Sequence, residues 1–218
     1  VCIDTVDTLT KPTIAQTVMI NQRIGASVSE LTIEELAGLI VFPHSRTWTP
    51  AEIIGERSNG NWRSQQVFAL DFDKGYKLES ALARLQEFGL SCSFCYSTFS
   101  STVELSKFRL VFVLDKPTSD KAIRDEIMSA LLMLFPEADG GCKDAARMFY
   151  GGKEISYANY EYRVEPSDII ESAEMFYLGD AKKNTLTKRL KKLGEKCYSN
   201  RTYIDRQKYP NPKEIRRF

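Results

Sequence analysis

Apolar positions along this chain repeat first at helical spacing and then at strand spacing. Thr32 and Glu35 bracket the start of a run, Ile33, Leu36, Leu39 and Ile40, that repeats every three to four residues. A capped helix is therefore predicted near residues 32–41. Residues 42–66 lose this rhythm and carry Pro43, Pro50, Gly55 and Gly60, which predicts a long irregular connection of the kind that often carries function. From Val67 to Asp73 the period becomes two, the mark of a strand. Residues 77–88 return to helical spacing, with Leu78, Ala81, Leu82 and Leu85 on one face and Gly89 as the stop. Ser91 to Thr98 reads as a second strand and Lys107 to Leu114 as a third. Pro117 and Thr118 then open a second helix, with Ile123, Ile127, Ala130, Leu131 and Leu134 inward and Pro136 at its end. Arg147 to Tyr150 predicts a short fourth strand stopped by Gly151 and Gly152. An aromatic-rich stretch, a helix at 166–175 and a basic helix near 181–193 follow.

The order β-α-β-β-α-β is that of a split β-α-β core in the α+β class. Right-handed crossovers place the first and third strands in the middle of one antiparallel sheet, with the fourth beside the first, helices on one face and the other face open. Residues 1–64 are read as a helical and irregular N-terminal extension packed on that core. Residues 65–178 are the core, and 179–218 a basic C-terminal helix and tail.

Composition narrows the setting. The chain has 218 residues, 43% of them hydrophobic, enough for one sizeable core. No apolar run is long enough to cross a bilayer. Val1 to Gln16 lacks the basic start and apolar stretch of a signal peptide. The chain opens on Val1 rather than Met, as an excised piece of a longer protein would. Five scattered cysteines suit a reducing compartment, and a cytoplasmic location is expected. Residues 181–218 hold 13 basic and three acidic side chains, a net of +10, and the rest of the chain 17 and 26, a net of −9. A basic tail on an acidic body points to an anionic partner, nucleic acid first, or else to a solvated helix face.

The chemistry is expected at the end of the first strand. In Val67-Phe68-Ala69-Leu70-Asp71-Phe72-Asp73, side chains alternate, so Asp71 and Asp73 share the open face. Two carboxylates there repel unless a cation lies between them, and hard oxygen donors suit Mg²⁺ or Mn²⁺. The plainer reading ends the strand before Asp73 and leaves a solvated turn with Lys74-Gly75. The topology brings Asp144, Lys107, Arg109, Arg147 and the hydroxyls of 97–102 to the same edge. That is an inventory for two-metal phosphoryl or nucleotidyl transfer, although Arg109 could equally form a surface salt bridge. Cys92 and Cys95 would point to opposite faces of their strand, and the sole histidine, His44, supports neither a triad nor a histidine-pair nuclease. No phosphate-binding Gly-Lys-Thr loop is present. Tyr150, Tyr157, Tyr160 and Tyr162 suit base stacking or strand packing alike.

Three segments taken together resemble the archaeo-eukaryotic primase superfamily, above all the primase-polymerases of plasmids, phages and mobile elements. They are VFALDFD, YSTFSSTVELSKFRLVFVLD and KDAARMFYGG, within Gln65 to Lys153. The resemblance implies an RNA-recognition-motif-like catalytic sheet with Asp71, Asp73 and Asp144 binding two divalent metals. Asp139 and Asp115 are alternatives for the third ligand. Ser97, Ser101, Lys107, Arg109 and Arg147 would then handle the triphosphate. The family's second motif usually ends in a histidine, where this chain has Phe99 or Ser101, so the cations must carry more of that task. The implied partners are nucleoside triphosphates, a single-stranded or primed DNA template and a helicase domain or protein. A non-catalytic nucleic-acid-binding module of the same fold, or another palm-like metal enzyme such as a nucleotide cyclase or nuclease, is the alternative.

Overall fold

In the computed structural model, residues 1–25 and 27–178 are described. The chain divides into two units, Val1–Phe176 and Tyr177–Phe218, and the fold below is that of the first. Its elements are β1 (Cys2–Ile3), α1 (Ile14–Ile24), α2 (Ile33–Ile40), β2 (Trp48–Thr49), β3 (Ala51–Ile53), β4 (Trp62–Phe72), α3 (Leu78–Glu87), β5 (Phe94–Thr98), β6 (Phe108–Thr118), α4 (Lys121–Leu134), β7 (Gly152–Ala158) and α5, which begins at Pro166 and runs to Leu178. The class is α+β, built on a five-stranded antiparallel sheet in the order β3-β4-β6-β5-β7. Among the described residues, no helix is long and apolar enough to cross a membrane.

The sheet forms where alternation is strongest. Phe68, Leu70 and Phe72 of β4 lie across from Phe112, Leu110 and Phe108 of β6, and all six are buried. Phe72 stacks on Phe108 with ring centroids 4.6 Å apart and meets Phe135 edge-on at 5.7 Å. Each such side chain contributes roughly 1.5–3 kcal/mol by leaving water. Helices α3 and α4 cover this face. Arg84 of α3 lies over the Phe135 ring and donates to the Leu134 carbonyl at the end of α4. The split β-α-β unit is present: β4 and β5 run parallel, with β6 between them.

The other face is not open, as the sequence predicts, but covered. Trp48 is fully buried there and donates from its indole to the Tyr96 hydroxyl at 3.0 Å. Ile33 and Leu36 of α2 line a groove with Val67 and Val113. The capping box of α2 forms as expected, with Glu35 accepting the Thr32 amide at 2.8 Å. Helix α1 packs Ile20 and Ile24 with Cys2, Ala51, Ile53 and Ala146 in a second small core.

Further expectations change. The stretch 42–66 is not wholly irregular, since it holds β2, β3 and the start of β4. A boundary at 64–65 would therefore cut β4. Pro117 and Thr118 end β6 rather than open a helix, and α4 starts at its cap Asp120, which accepts the amides of Ala122 and Ile123. Proline is tolerated there because the β4–β6 register shifts between Gln65 and Val67. The fourth strand is β7, not Arg147–Tyr150, and it pairs with β5 rather than beside β4. The edge beside β4 is taken by β3. Gly151 and Gly152 are not a stop but a close approach. A Cβ on Gly151 would collide with the Ser45 carbonyl and one on Gly152 with the Ser97 carbonyl.

Candidate functional site

Asp71 is the penultimate residue of β4, directly across from Arg109, which in turn lies across from Tyr96. The three side chains form one row on the covered face. Arg109 Nε donates to Asp71 Oδ1 at 2.9 Å, and its Nη1 donates to the Tyr96 hydroxyl at 3.1 Å and to the Tyr150 carbonyl. The guanidinium also lies 5.3 Å from the Phe149 ring centroid and is only 7% exposed. Burial alone would lower its pKa, but Tyr96 and Asp71 hold it above the usual value. Burial likewise pushes the Tyr96 phenol up, so it keeps its proton and donates to the Tyr150 carbonyl. Arg109 thus holds the segment before the glycine pair onto the sheet.

The loop after α4 arrives at the same strand end by its backbone. The Asp139 amide donates to the Asp71 carbonyl at 2.8 Å, and the Asp71 amide donates to Cys142 Sγ at 3.4 Å. Asp139 caps the 3-10 turn Gly140–Lys143 by accepting the Gly141 amide at 2.9 Å. That bond, together with Arg147 and Lys74, holds its carboxyl below the usual range. Arg147 Nη2 donates to Asp139 Oδ2 at 2.7 Å and stands 3.6 Å from Asp71 Oδ2. Its side chain remains 30% exposed. A lowered carboxyl pKa favours the folded arrangement at neutral pH and loses that effect as pH falls through the lowered value.

The other sequence-predicted residues are placed as follows. Asp73 lies just past the end of β4, exposed in the turn with Lys74 and Gly75, as the plainer reading has it. Asp144 uses Oδ1 to accept the Ala146 amide at 3.0 Å, and its carbonyl accepts from Arg124, whose Nε donates to Gln65 near the start of β4. Ser97 lies across from Phe108 and so shares the helix-covered face, opposite Asp71. Ser101 Oγ accepts the Lys107 amide at 3.0 Å, and these two residues close the β5–β6 hairpin. Asp115 is exposed at the far end of β6. The structure therefore brings together Asp71, Arg109, Arg147 and Asp139, and leaves Asp144, Asp115, Ser97 and Ser101 elsewhere.

Asp71 and Asp139 both pair with the Arg147 guanidinium, so a divalent ion at the two-ion centre expected from the sequence would have to displace it. Among the described residues, no three His, Cys, Asp or Glu side chains are placed to hold a metal ion. The Arg147 guanidinium stands between Asp71 and Asp139, where a divalent ion would otherwise balance them. Cysteine chemistry does not fit. Cys92 and Cys142 are buried free thiols pushed up by burial to about 12 and about 11, so neither is a thiolate at neutral pH. His44 pairs with exposed Asp7 at 3.0 Å, away from this cluster.

No protein-family model matches the chain, and no curated protein matches it. Among solved structures it is similar to the AEP domain of the primase-polymerase of cyanophage S-2L, with a TM-score of 0.45 and 15% identity over 59% of this chain and 69% of that one.

Two buried ionic groups escape the sequence reading. Arg124, on the inner side of α4, is 1% exposed and bonds Gln65, Lys143, Asp144 and Asp125. Its spacing with Ile127, Leu131 and Leu134 puts a charge on an apolar stripe, and that is the signal that could have found it. Asp4, fully buried, takes a two-pronged contact from Arg23 at 2.8 and 2.7 Å.

Proposed function

We propose that the chain is a nucleotidyltransferase of the primase-polymerase kind, joining nucleoside triphosphates on a single-stranded template. The observation that carries this reading is Arg147, a half-buried guanidinium held between Asp71 and Asp139 at the end of a central strand. A fork of N–H donors fits a phosphate as well as a carboxylate, so Arg147 can pass from one anion to the other. Arg109 cannot do so without unpacking Tyr96 and Tyr150. In this reading, phosphate handling falls mainly on Arg147, and Arg109 positions Asp71. The test is extension of a primed template with labelled nucleotides and Mg²⁺ or Mn²⁺, with products resolved on a gel. Arg147→Ala is expected to raise the nucleotide concentration for half-maximal extension roughly tenfold or more, the worth of one charge-assisted contact. Ser101→Ala should leave it nearly unchanged. Equal values for Arg147→Ala and the unmodified chain would remove Arg147 from the site.

The pairing of Asp71 with both arginines favours a second reading, a module of the same fold that binds nucleic acid without joining nucleotides. Binding with no product under either metal would select it. In both readings the basic residues 181–218, which lie outside the described residues, contact the template or join this module to a helicase. Deleting them is expected to flatten the dependence of nucleic-acid affinity on salt. An unchanged salt slope would assign the tail another task.

A further inference from the structure

The segment 97–102, whose hydroxyls the sequence assigns to phosphates, contributes elsewhere than at Asp71. Phe99 and Ser100 line a cleft of about 560 Å³, together with Phe42, Leu9, Lys11 and Lys153. Phe42 is 68% exposed and Leu9 64%, so among the described residues this apolar surface is uncovered. The walls are fixed to one another. The Phe42 amide donates to the Lys153 carbonyl at 3.3 Å, and Lys153 Nζ donates to the Ser101 carbonyl at 2.6 Å. Ser45 Oγ bonds the Gly152 carbonyl at 2.8 Å behind them.

The lining carries two cations and no carboxylate, although residues 1–180 together are acidic by nine charges. Aromatic faces beside isolated cations suit a ligand that is flat and apolar on one side and anionic on the other, which describes a nucleotide strand. Two point charges match spaced, singly charged phosphodiesters better than the concentrated charge of a triphosphate.

We infer that this cleft binds single-stranded nucleic acid, with bases stacked on Phe42 and Phe99 and the backbone on Lys11 and Lys153. The inference rests on the proposed reading for its role, since it names where the template strand lies. The experiment is fluorescence anisotropy of a short labelled oligothymidylate against the full chain across a salt series. The tail adds the same background to each variant, so differences between variants report the cleft. Phe42→Ala is expected to weaken binding roughly 5- to 100-fold, the loss of one stacked base. Lys11→Gln with Lys153→Gln should lower the slope of log affinity against log salt by roughly 1.4. Unchanged thermal melting shows that the variants fold. Affinities equal to that of the unmodified chain would overturn the proposal, as would full displacement of the strand by an equal concentration of thymidine triphosphate. Primer extension separates the two ideas. Weakened binding by Phe42→Ala in a chain that makes no product keeps the cleft and removes the polymerase. Product from the unmodified chain, with Phe42→Ala binding unchanged, does the reverse.

Discussion

Replacing Asp71 with Ala is expected to lower stability by about 3 kcal/mol, while Asp73→Ala stays within about 0.5 kcal/mol of the unmodified chain. The sequence suggests the opposite for the pair, since two neighbouring carboxylates should gain from losing one. The structure removes that repulsion by ending β4 at Phe72, which leaves Asp73 in water and Asp71 against Arg109. The side chains of Asp71 and Arg109 are 13% and 9% exposed. Removing the carboxylate strands a buried guanidinium, and breaking such a pair typically costs roughly 3–5 kcal/mol. The lower end applies because Arg109 keeps the Tyr96 hydroxyl and the Tyr150 carbonyl. Urea unfolding of the two single variants, of Arg109→Ala and of the Asp71/Arg109 double variant gives the coupling directly. A coupling near zero would show that the pair contributes nothing, and would return Asp71 to a ligand role.

The second large effect is expected at Arg124. Arg124→Met should cost about 3 kcal/mol and loosen one loop selectively. The guanidinium is 1% exposed and points in three directions, to Gln65 Oε1 at 3.1 Å, the Lys143 carbonyl at 2.6 Å and the Asp144 carbonyl at 3.3 Å. Met can fill much of the volume but removes three charge-assisted hydrogen bonds, each worth roughly 1.5–3 kcal/mol. Gln65 Oε1 keeps the Trp62 indole at 3.3 Å and the Asp144 carbonyl keeps the Arg147 amide at 3.0 Å, which holds the cost near the low end. Arg124→Lys should recover little, because a single ammonium cannot span the fork. Hydrogen exchange is the discriminating measurement. Amides of 139–147 should lose protection before the sheet does, since Arg124 joins that loop to the start of β4. An even loss of protection across the chain, or an unchanged stability, would refute the role. The same loop carries Asp139 and Arg147, so under the proposed reading primer extension should fall along with its protection.

The parts of this fold that follow from local periodicity are readable in the sequence. The capping box of α2, the alternation in β4 and β6 and the apolar stripe of α3 all fall where expected, and with them the α+β class and the split β-α-β unit. What is not readable depends on pairing. Strand β3 has three residues between Pro50 and Gly55, too few to show a period. Phe149 and Tyr150 resemble a strand because they are apolar, but Phe149 makes only an isolated bridge to Trp48 and Tyr150 is half-buried with its carbonyl on Arg109. Ile155 and Tyr157 do alternate in β7, yet among exposed charges that signal is weak. The site shows the same division. Asp71 and Arg147 are placed at one strand end by the sequence argument, though through a topology the molecule does not have. They meet because the Asp139 amide and Cys142 sulfur are tied to the Asp71 backbone. Asp139 enters the cluster instead of Asp144 because Asp144 turns its carboxylate onto its own loop.

The placement of β7 has a consequence for the chain as it is made. β5 emerges with Phe94, Cys95 and Tyr96, all fully buried in the finished fold, and its outer margin stays bare until Gly152 has been synthesised. An apolar margin with open amides and carbonyls invites a second chain to add a strand. Lys153 and Glu154 are exposed on β7, so the finished margin carries charges that discourage such pairing. Chains cut short before β7 are therefore expected to aggregate, and stalled synthesis between Thr98 and Gly152 is the stage at which a chaperone has most to protect.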